Sequence, residues 1–259
     1  MYQEIQETIK SAVINYEANT QSYNLWKEPI IKIISANNEN LKELKKTVSD
    51  EHFLPHDILS GAKSIISFFV PFHEDIVESN LTGTLSSEKW ATAYIKTNLL
   101  IKVINDEIEI LMNKNGYETG KIPATHNYDE VKLMSNWSHR HVAYIAGIGT
   151  FGINNMLITK NGCCGRLGSI IINYEFNNYD EVKSFENKEK CLYKRNGKCG
   201  ICRKKCMAGA FSETGFDRHK CNKQLLKNAE QHKAIGYADV CGKCMVGLPC
   251  SIRDPTALP

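Results

Sequence analysis

The chain has 259 residues, 42% of them apolar and 24% charged, with a formal net charge of +3. That apolar share is enough for one large domain or two moderate ones and makes a globular enzyme the default class. No stretch approaches the roughly 20 apolar residues of a membrane-spanning helix, and MYQEIQETIKSAVINYE at the N-terminus carries acids and no continuous apolar run. A secretory signal, a transit peptide and a membrane partner are therefore not expected, and a reducing cytoplasm is the predicted setting.

Ile5, Ile9, Val13 and Tyr16 recur at helical spacing from Tyr2 onward, and Leu41, Leu44 and Val48 repeat the pattern in a shorter helix. Between Gly61 and Pro71, KSIISFFV reads as a buried strand. From Trp90 to Met112, apolar residues including Tyr94, Ile101, Ile104 and Ile108 share one broad face, and Asn115-Gly116 supplies a stop. This is expected to be the longest helix. From Gly120 to Trp137 the pattern is irregular, as functional loops of this length often are. Ser138 then caps a short helix ended by Gly147, Met156 to Thr159 begins a strand, and Ser169 to Tyr174 forms another. Residues 177–190 are polar and charged and read as a linker.

Gly147, Gly149 and Gly152 match the dinucleotide fingerprint in letters only. A true fingerprint follows a strand and opens a helix, whereas this one follows a helix and enters a strand. The glycines either let the backbone approach a bulky planar or phosphate-bearing ligand, or simply turn tightly. Cys163 and Cys164 stand nearby, as small turn residues or as a thiol facing a pocket.

Eight of the ten cysteines lie between Cys191 and Cys250. Cys199, Cys202 and Cys206 are spaced C-x2-C-x3-C, and Cys241 and Cys244 repeat the C-x2-C step. Two groups of four thiolates suit two [4Fe-4S] clusters; paired knuckles on a structural zinc and a disulfide framework are the alternatives. In two-cluster ferredoxins the last cysteine of a run crosses to the other cube, which is the place of Cys206. The expected ligand sets are Cys191, Cys199, Cys202 and Cys250 for one cube, and Cys206, Cys221, Cys241 and Cys244 for the other. Residues 191–259 hold 13 Lys and Arg against 5 Asp and Glu, a balance of +8 that leaves −5 for residues 1–190. Such cations offset anionic clusters. A nucleic-acid patch is the other reading, but stacking aromatics are not interleaved with the charges, so a nucleic-acid partner is not expected.

LPHDILSGAKSIISFFVPF (54–72), AYIAGIGTFGINNMLIT (143–159), GRLGSIIIN (165–173) and the cysteine tail together resemble the epoxyqueuosine reductases and, more distantly, the corrinoid-dependent reductive dehalogenases. The resemblance implies an α+β protein. A nitroreductase-related α/β domain over residues 1–180 would hold cobalamin and substrate, and a ferredoxin-like module over 181–259 would hold two [4Fe-4S] clusters. It also implies a cytoplasmic reductase fed by an external low-potential electron donor and acting on a small-molecule substrate. The A-G-x-G-x-x-G-x-N motif makes Gly147, Gly149, Gly152 and Asn154 the candidate cofactor-binding residues, and His139, Arg140, His141 and Tyr144 become candidates for supplying a proton or orienting substrate. A two-cluster electron-transfer protein without corrinoid, or a zinc-stabilised binding module, are the alternative functions. The chain departs from the family at Leu133, near the place of its acidic proton donor, and at His139-Arg140, where the family carries a glutamate–arginine pair. The family's C-terminal helical repeats, which help bind tRNA, have no counterpart before Pro259. Epoxyqueuosine is therefore not the expected substrate.

Overall fold

The run SIISFFVP has no polar face, and it becomes the inner strand of a sheet covered on both sides. A computed structural model describes residues 1–21, 24–123, 128–180, 189–213 and 215–257. In chain order it contains α1 (Tyr2–Thr20), β1 (Ile30–Ser35), α2 (Leu44–Thr47), α3 (Pro55–Ile58), β2 (Ser64–Pro71), α4 (Glu74–Ser79), α5 (Glu88–Lys114) and β3 (Thr119–Lys121). There follow β4 (Tyr128–Asp129), β5 (Met134–Ser135), α6 (His139–Ile145), β6 (Gly149–Phe151), β7 (Leu157–Thr159) and β8 (Gly165–Ile172). The tail adds α7 (Leu192–Asn196), α8 (Ile201–Lys204) and α9 (Arg218–Gln231). Helices and strands are mixed, as an α+β protein requires.

The main sheet has four antiparallel strands in the order β1-β2-β8-β3, with Ile33 opposite Ile66 and Ser67 opposite Ser169. Side chains alternate across a strand. Ile66, Phe68, Val70, Ile170 and Ile172 therefore pack beneath α1 and α5 against Ile5, Ile9, Leu100, Ile104 and Ile108. Ile65, Phe69 and Ile171 face the opposite way, against Trp137, Val142, Ala143 and Leu157. Every residue of β2 is buried. The α6 layer lies on this second face, and the cleft described below opens beside it.

The tail is stitched onto this body by polar bonds. Asn80 Nδ2 donates to Cys241 O at 2.9 Å, Asn154 Nδ2 to Cys244 O at 2.8 Å, Tyr94 Oη to Asp239 at 2.6 Å, and the Cys163 amide to Cys250 O at 2.9 Å. Buried Lys243 reaches Asn80 O at 2.9 Å and Thr82 O at 2.6 Å. Asp180, within the expected linker, instead locks the edge of β1, accepting from Tyr2 Oη at 2.7 Å, Lys32 Nζ at 3.0 Å and the Ile33 amide at 3.0 Å. Residues 181–188 of that expected linker lie outside the described residues. The Leu41–Val48 helix is broken, with a 3-10 turn at Glu39–Leu41 preceding the four-residue α2. The strand β1, formed by IIKIIS, is an element that the apolar pattern did not single out. The Gly120–Trp137 segment folds partly into the β4–β5 hairpin, with residues 124–127 outside the described set.

Replacing Ile66 by alanine should lower unfolding free energy by about 2–5 kcal/mol, because the cavity would open in a core sealed on both faces. Ile110→Ala, at a position 61% exposed, should stay within about 0.5 kcal/mol of the parent. Denaturant midpoints of the two variants check the assignment of faces.

Candidate functional site

The short helices of the tail carry their cysteines to one place because each turn begins or ends at a sulfur. Cys191 precedes α7, Gly197 at φ 74° ends that helix, and Cys202 lies in α8 directly after the Gly200 turn. Cys191, Cys199, Cys202 and Cys250 line one cavity together with Gly152, Asn154, Tyr193 and Gly200. These are the four cysteines expected to share a cube.

The second group is drawn together around α9. Burial, followed by the charges of Cys241 and Cys206, pushes the Cys221 thiol up to about 11. Burial first, then Cys241, Cys221 and Cys206, raises Cys244 far above the ordinary thiol range. Cys241 is raised by burial, against which the neighbouring Lys243 cation works. In the first group, burial and then Cys250, Cys191 and Cys199 bring Cys202 to about 11. Cys244 also feels Cys202, so the two groups are neighbours. Thiols that are buried and repel one another as anions resist ionising, and a bound cationic centre reverses that cost.

Two buried N–H groups fit this reading. Among the described residues, Arg203 Nε, beside Cys202, and Trp90 Nε1 have no hydrogen-bond partner. A Cβ on Gly242, next to Cys241, would sit 2.7 Å from Trp90 Nε1, and Gly242 has φ 72°. Each group therefore has an orphaned donor close by in the fold, and buried Lys243 adds a cation beside the second. Among the described residues no three His, Cys, Asp or Glu side chains converge as one metal ion would require.

A cleft open to solvent adjoins the second group. Its two lobes, of about 1100 and 1570 Å³, share Tyr128, Leu133, Ser135, Ser138, Arg140 and Met156 and so form one space. One lobe reaches Phe69, Cys163, Gly165, Arg166 and Met245. The other reaches His141, Phe151, Arg218 and Cys221. Cys221 thus belongs to a thiol group and to the wall of the cleft.

The expected site residues separate in this frame. His139, Arg140 and His141 line the cleft, whereas Tyr144 is not among its lining residues and packs on Phe151 with ring centroids 5.6 Å apart. Gly147, Gly149, Gly152 and Asn154 do not line it either. Gly147, at φ 72°, closes the helix, and a Cβ on Gly149 would lie 2.3 Å from the Ile158 carbonyl. Tight turning accounts for these two glycines, while Gly152 and Asn154 face the first thiol group instead. Cys163 and Cys164 are both buried, and Cys163 reaches the cleft wall. Tyr128, Arg166, Arg218 and Met245 also line the cleft. Sequence reasoning missed them because the fold alone brings four distant segments together.

The two histidines are held neutral. Ser169 Oγ accepts from Trp137 Nε1 at 3.0 Å and lies 2.8 Å from His139 Nδ1, while His139 Nε2 lies 3.2 Å from Pro123 O. The network is satisfied when Ser169 donates to Nδ1 and Nε2–H donates to the carbonyl. Burial brings His139 down to about 4. Burial and then the Arg140 charge bring His141 to about 4 as well. Arg140 Nη1 donates to Asn155 O at 2.8 Å.

No family model and no curated protein matches the chain. Solved structures do match. An epoxyqueuosine reductase from Streptococcus thermophilus aligns with TM-score 0.52 and 17% identity, over 95% of this chain and 68% of its own. One from Bacillus subtilis gives 0.54 and 18%, over 94% and 66%. A catabolic reductive dehalogenase gives 0.59 and 14%, over 87% and 30%. The chain has the fold shared by epoxyqueuosine reductases and reductive dehalogenases. It spans about two thirds of the former proteins and under a third of the latter. Among proteins of this fold, one epoxyqueuosine reductase structure holds a modified tRNA stem loop, and one dehalogenase structure holds 3-bromo-4-hydroxybenzoic acid. Among the described residues no helix is long and apolar enough to cross a membrane.

Both histidines bind fewer protons folded than unfolded between about 4 and their ordinary 6.5. Their contribution to stability is complete above that window and is lost as pH falls through it. Denaturant midpoints should therefore drop from pH 7 to pH 4, less steeply in His139→Gln; an equal slope in the variant would contradict the buried neutral state.

Proposed function

We propose that this protein is an iron–sulfur reductase with a ferredoxin-like module (181–259) set against a nitroreductase-related α/β domain (1–180) that holds a corrinoid and a small substrate. In this reading Cys191, Cys199, Cys202 and Cys250 hold one [4Fe-4S] cluster, and Cys206, Cys221, Cys241 and Cys244 hold the other. When bound, the clusters supply one-electron transfer and cobalamin supplies a low-potential cobalt centre at which substrate is reduced. The observation that carries the reading is Cys221, a member of the second thiol group that also forms part of the cleft wall. The structural neighbours support it, one of them described in connection with B12-dependent dehalogenation.

The chain's own groups bind, orient and hold protons. Arg140 and Arg218 line the lobe beside Cys221 and suit an anionic substituent on the ligand. His141 lines that lobe without charge, and His139, in the other lobe, spends its Nε2–H on Pro123, so it is not the proton source. Tyr128 is the only phenol lining either lobe among the described residues. Burial raises its pKa, which keeps the hydroxyl protonated at neutral pH and able to donate. We assign it the proton-holding role expected from sequence for the histidines and Tyr144.

Anaerobically reconstituted protein should bind cobalamin with a shift in its visible absorption, and Tyr128→Phe should retain binding while turnover with a haloaromatic acid falls by about 10²-fold or more. No corrinoid uptake in a cluster-loaded preparation would leave a two-cluster electron carrier as the function. Cys206→Ser should lose about half of the iron, since each cube depends on four thiolates.

A further inference from the structure

We propose that the exposed basic face of α7 and α8 is the docking surface for an acidic, low-potential one-electron carrier protein. The inference rests on the reading that Cys191, Cys199, Cys202 and Cys250 hold a [4Fe-4S] cluster.

Residues 191–212 contain six Lys and Arg and no Asp or Glu. Three of the six are engaged by the protein itself. Lys194 reaches Phe151 O at 2.6 Å and Glu189 at 3.8 Å, Lys205 reaches Val246 O at 3.0 Å, and Arg203 lies 4.9 Å over the Tyr193 ring. Arg195, Lys198 and Lys204 are exposed, and among the described residues none of them makes an ion pair. Between these cations sit two exposed apolar side chains, Tyr193 at 37% and Ile201 at 40%. An apolar centre with a charged rim is the composition of a transient protein interface, and the rim sets encounter rate and orientation.

The position of this face argues for electrons rather than for another cargo. Tyr193 lines the cavity of the first thiol group and is also open to solvent, so a single aromatic ring separates the surface from the sulfurs. Lys198 is the direct neighbour of Cys199. None of Tyr193, Arg195, Lys198, Ile201 and Lys204 lines the cleft, so a carrier docked at α7 and α8 leaves the cleft free during reduction. The +8 balance of residues 191–259 against −5 for residues 1–190 gives the molecule a polarity that turns this end toward an acidic partner. In the docked complex the reduced carrier would give up one electron, which a cluster held by Cys191, Cys199, Cys202 and Cys250 would accept. No bond is made or broken and no proton moves.

The test uses full-length protein reconstituted anaerobically, with a plant-type [2Fe-2S] ferredoxin as the acidic carrier. The variant Arg195→Glu/Lys198→Glu/Lys204→Glu is compared with Lys223→Glu/Lys227→Glu/Lys233→Glu, an equal change of charge on and just beyond α9. The first variant should bind ferredoxin about tenfold or more weakly, accept its electron correspondingly slowly, and lose the salt dependence seen in the parent. The second variant should behave as the parent, and bleaching by dithionite should be the same in all three. Parental binding and salt dependence in the first variant would overturn the proposal. So would a variant that keeps ferredoxin but loses a tRNA stem loop, which would make this an RNA face. A colourless preparation would remove the cluster reading by itself, while ferredoxin binding would still decide whether the face takes an acidic protein.

Discussion

Burying several thiolates side by side is unfavourable unless something positive sits among them. Ionising each one charges a poorly solvated sulfur next to others of its kind, and leaving them protonated wastes the convergence that the chain has gone to such lengths to build. Here eight cysteines meet in two adjacent groups, with Lys243 buried beside one and Arg203 beside the other. Among the described residues, two N–H groups near those groups have no hydrogen-bond partner. An anionic cube with a cationic iron core answers all of these features together, since it takes thiolate ligands and offers sulfide to nearby donors. The rest of the tail follows: short helices, glycine turns and long-range bonds from Asn80, Asn154 and Tyr94 hold the groups against the α/β body.

That body does its work through register. Because side chains alternate across β2 and β8, one face feeds the α1–α5 core and the other carries Ser169 to Trp137 and His139. A slip of one residue would turn Ser169 into the helical core and expose the histidine network. The cleft therefore owes its floor to the same alternation that closes the hydrophobic core, and its far wall to α9, whose N-terminal turn presents Cys221.

Much of this was legible in the sequence where a local pattern decided the outcome. The α5 face, the unbroken apolar run of β2, the Ser138 cap and the cysteine spacing each reflect short-range chemistry, and so the elements fall where expected. Cys191, Cys199, Cys202 and Cys250, grouped from their spacing, line one cavity although 59 positions of sequence separate the first from the last. What escaped was decided by distant contacts. IIKIIS becomes a strand because β2 offers it an edge, Asp180 is a clasp because Tyr2 and Lys32 lie across from it, and Tyr128 joins the cleft only when its hairpin folds over α6. Of the two readings open for the glycines of 147–152, tight turning accounts for Gly149, where the space is taken by the carbonyl of Ile158.

The central claim is that the two thiol groups each hold a four-iron cube. Mössbauer spectroscopy of protein reconstituted with iron-57 tests it most directly. The account predicts that essentially all iron appears as [4Fe-4S] centres at about eight atoms per chain, falling to about four in Cys221→Ser. Folded protein that retains no iron, or carries a single zinc instead, would contradict it.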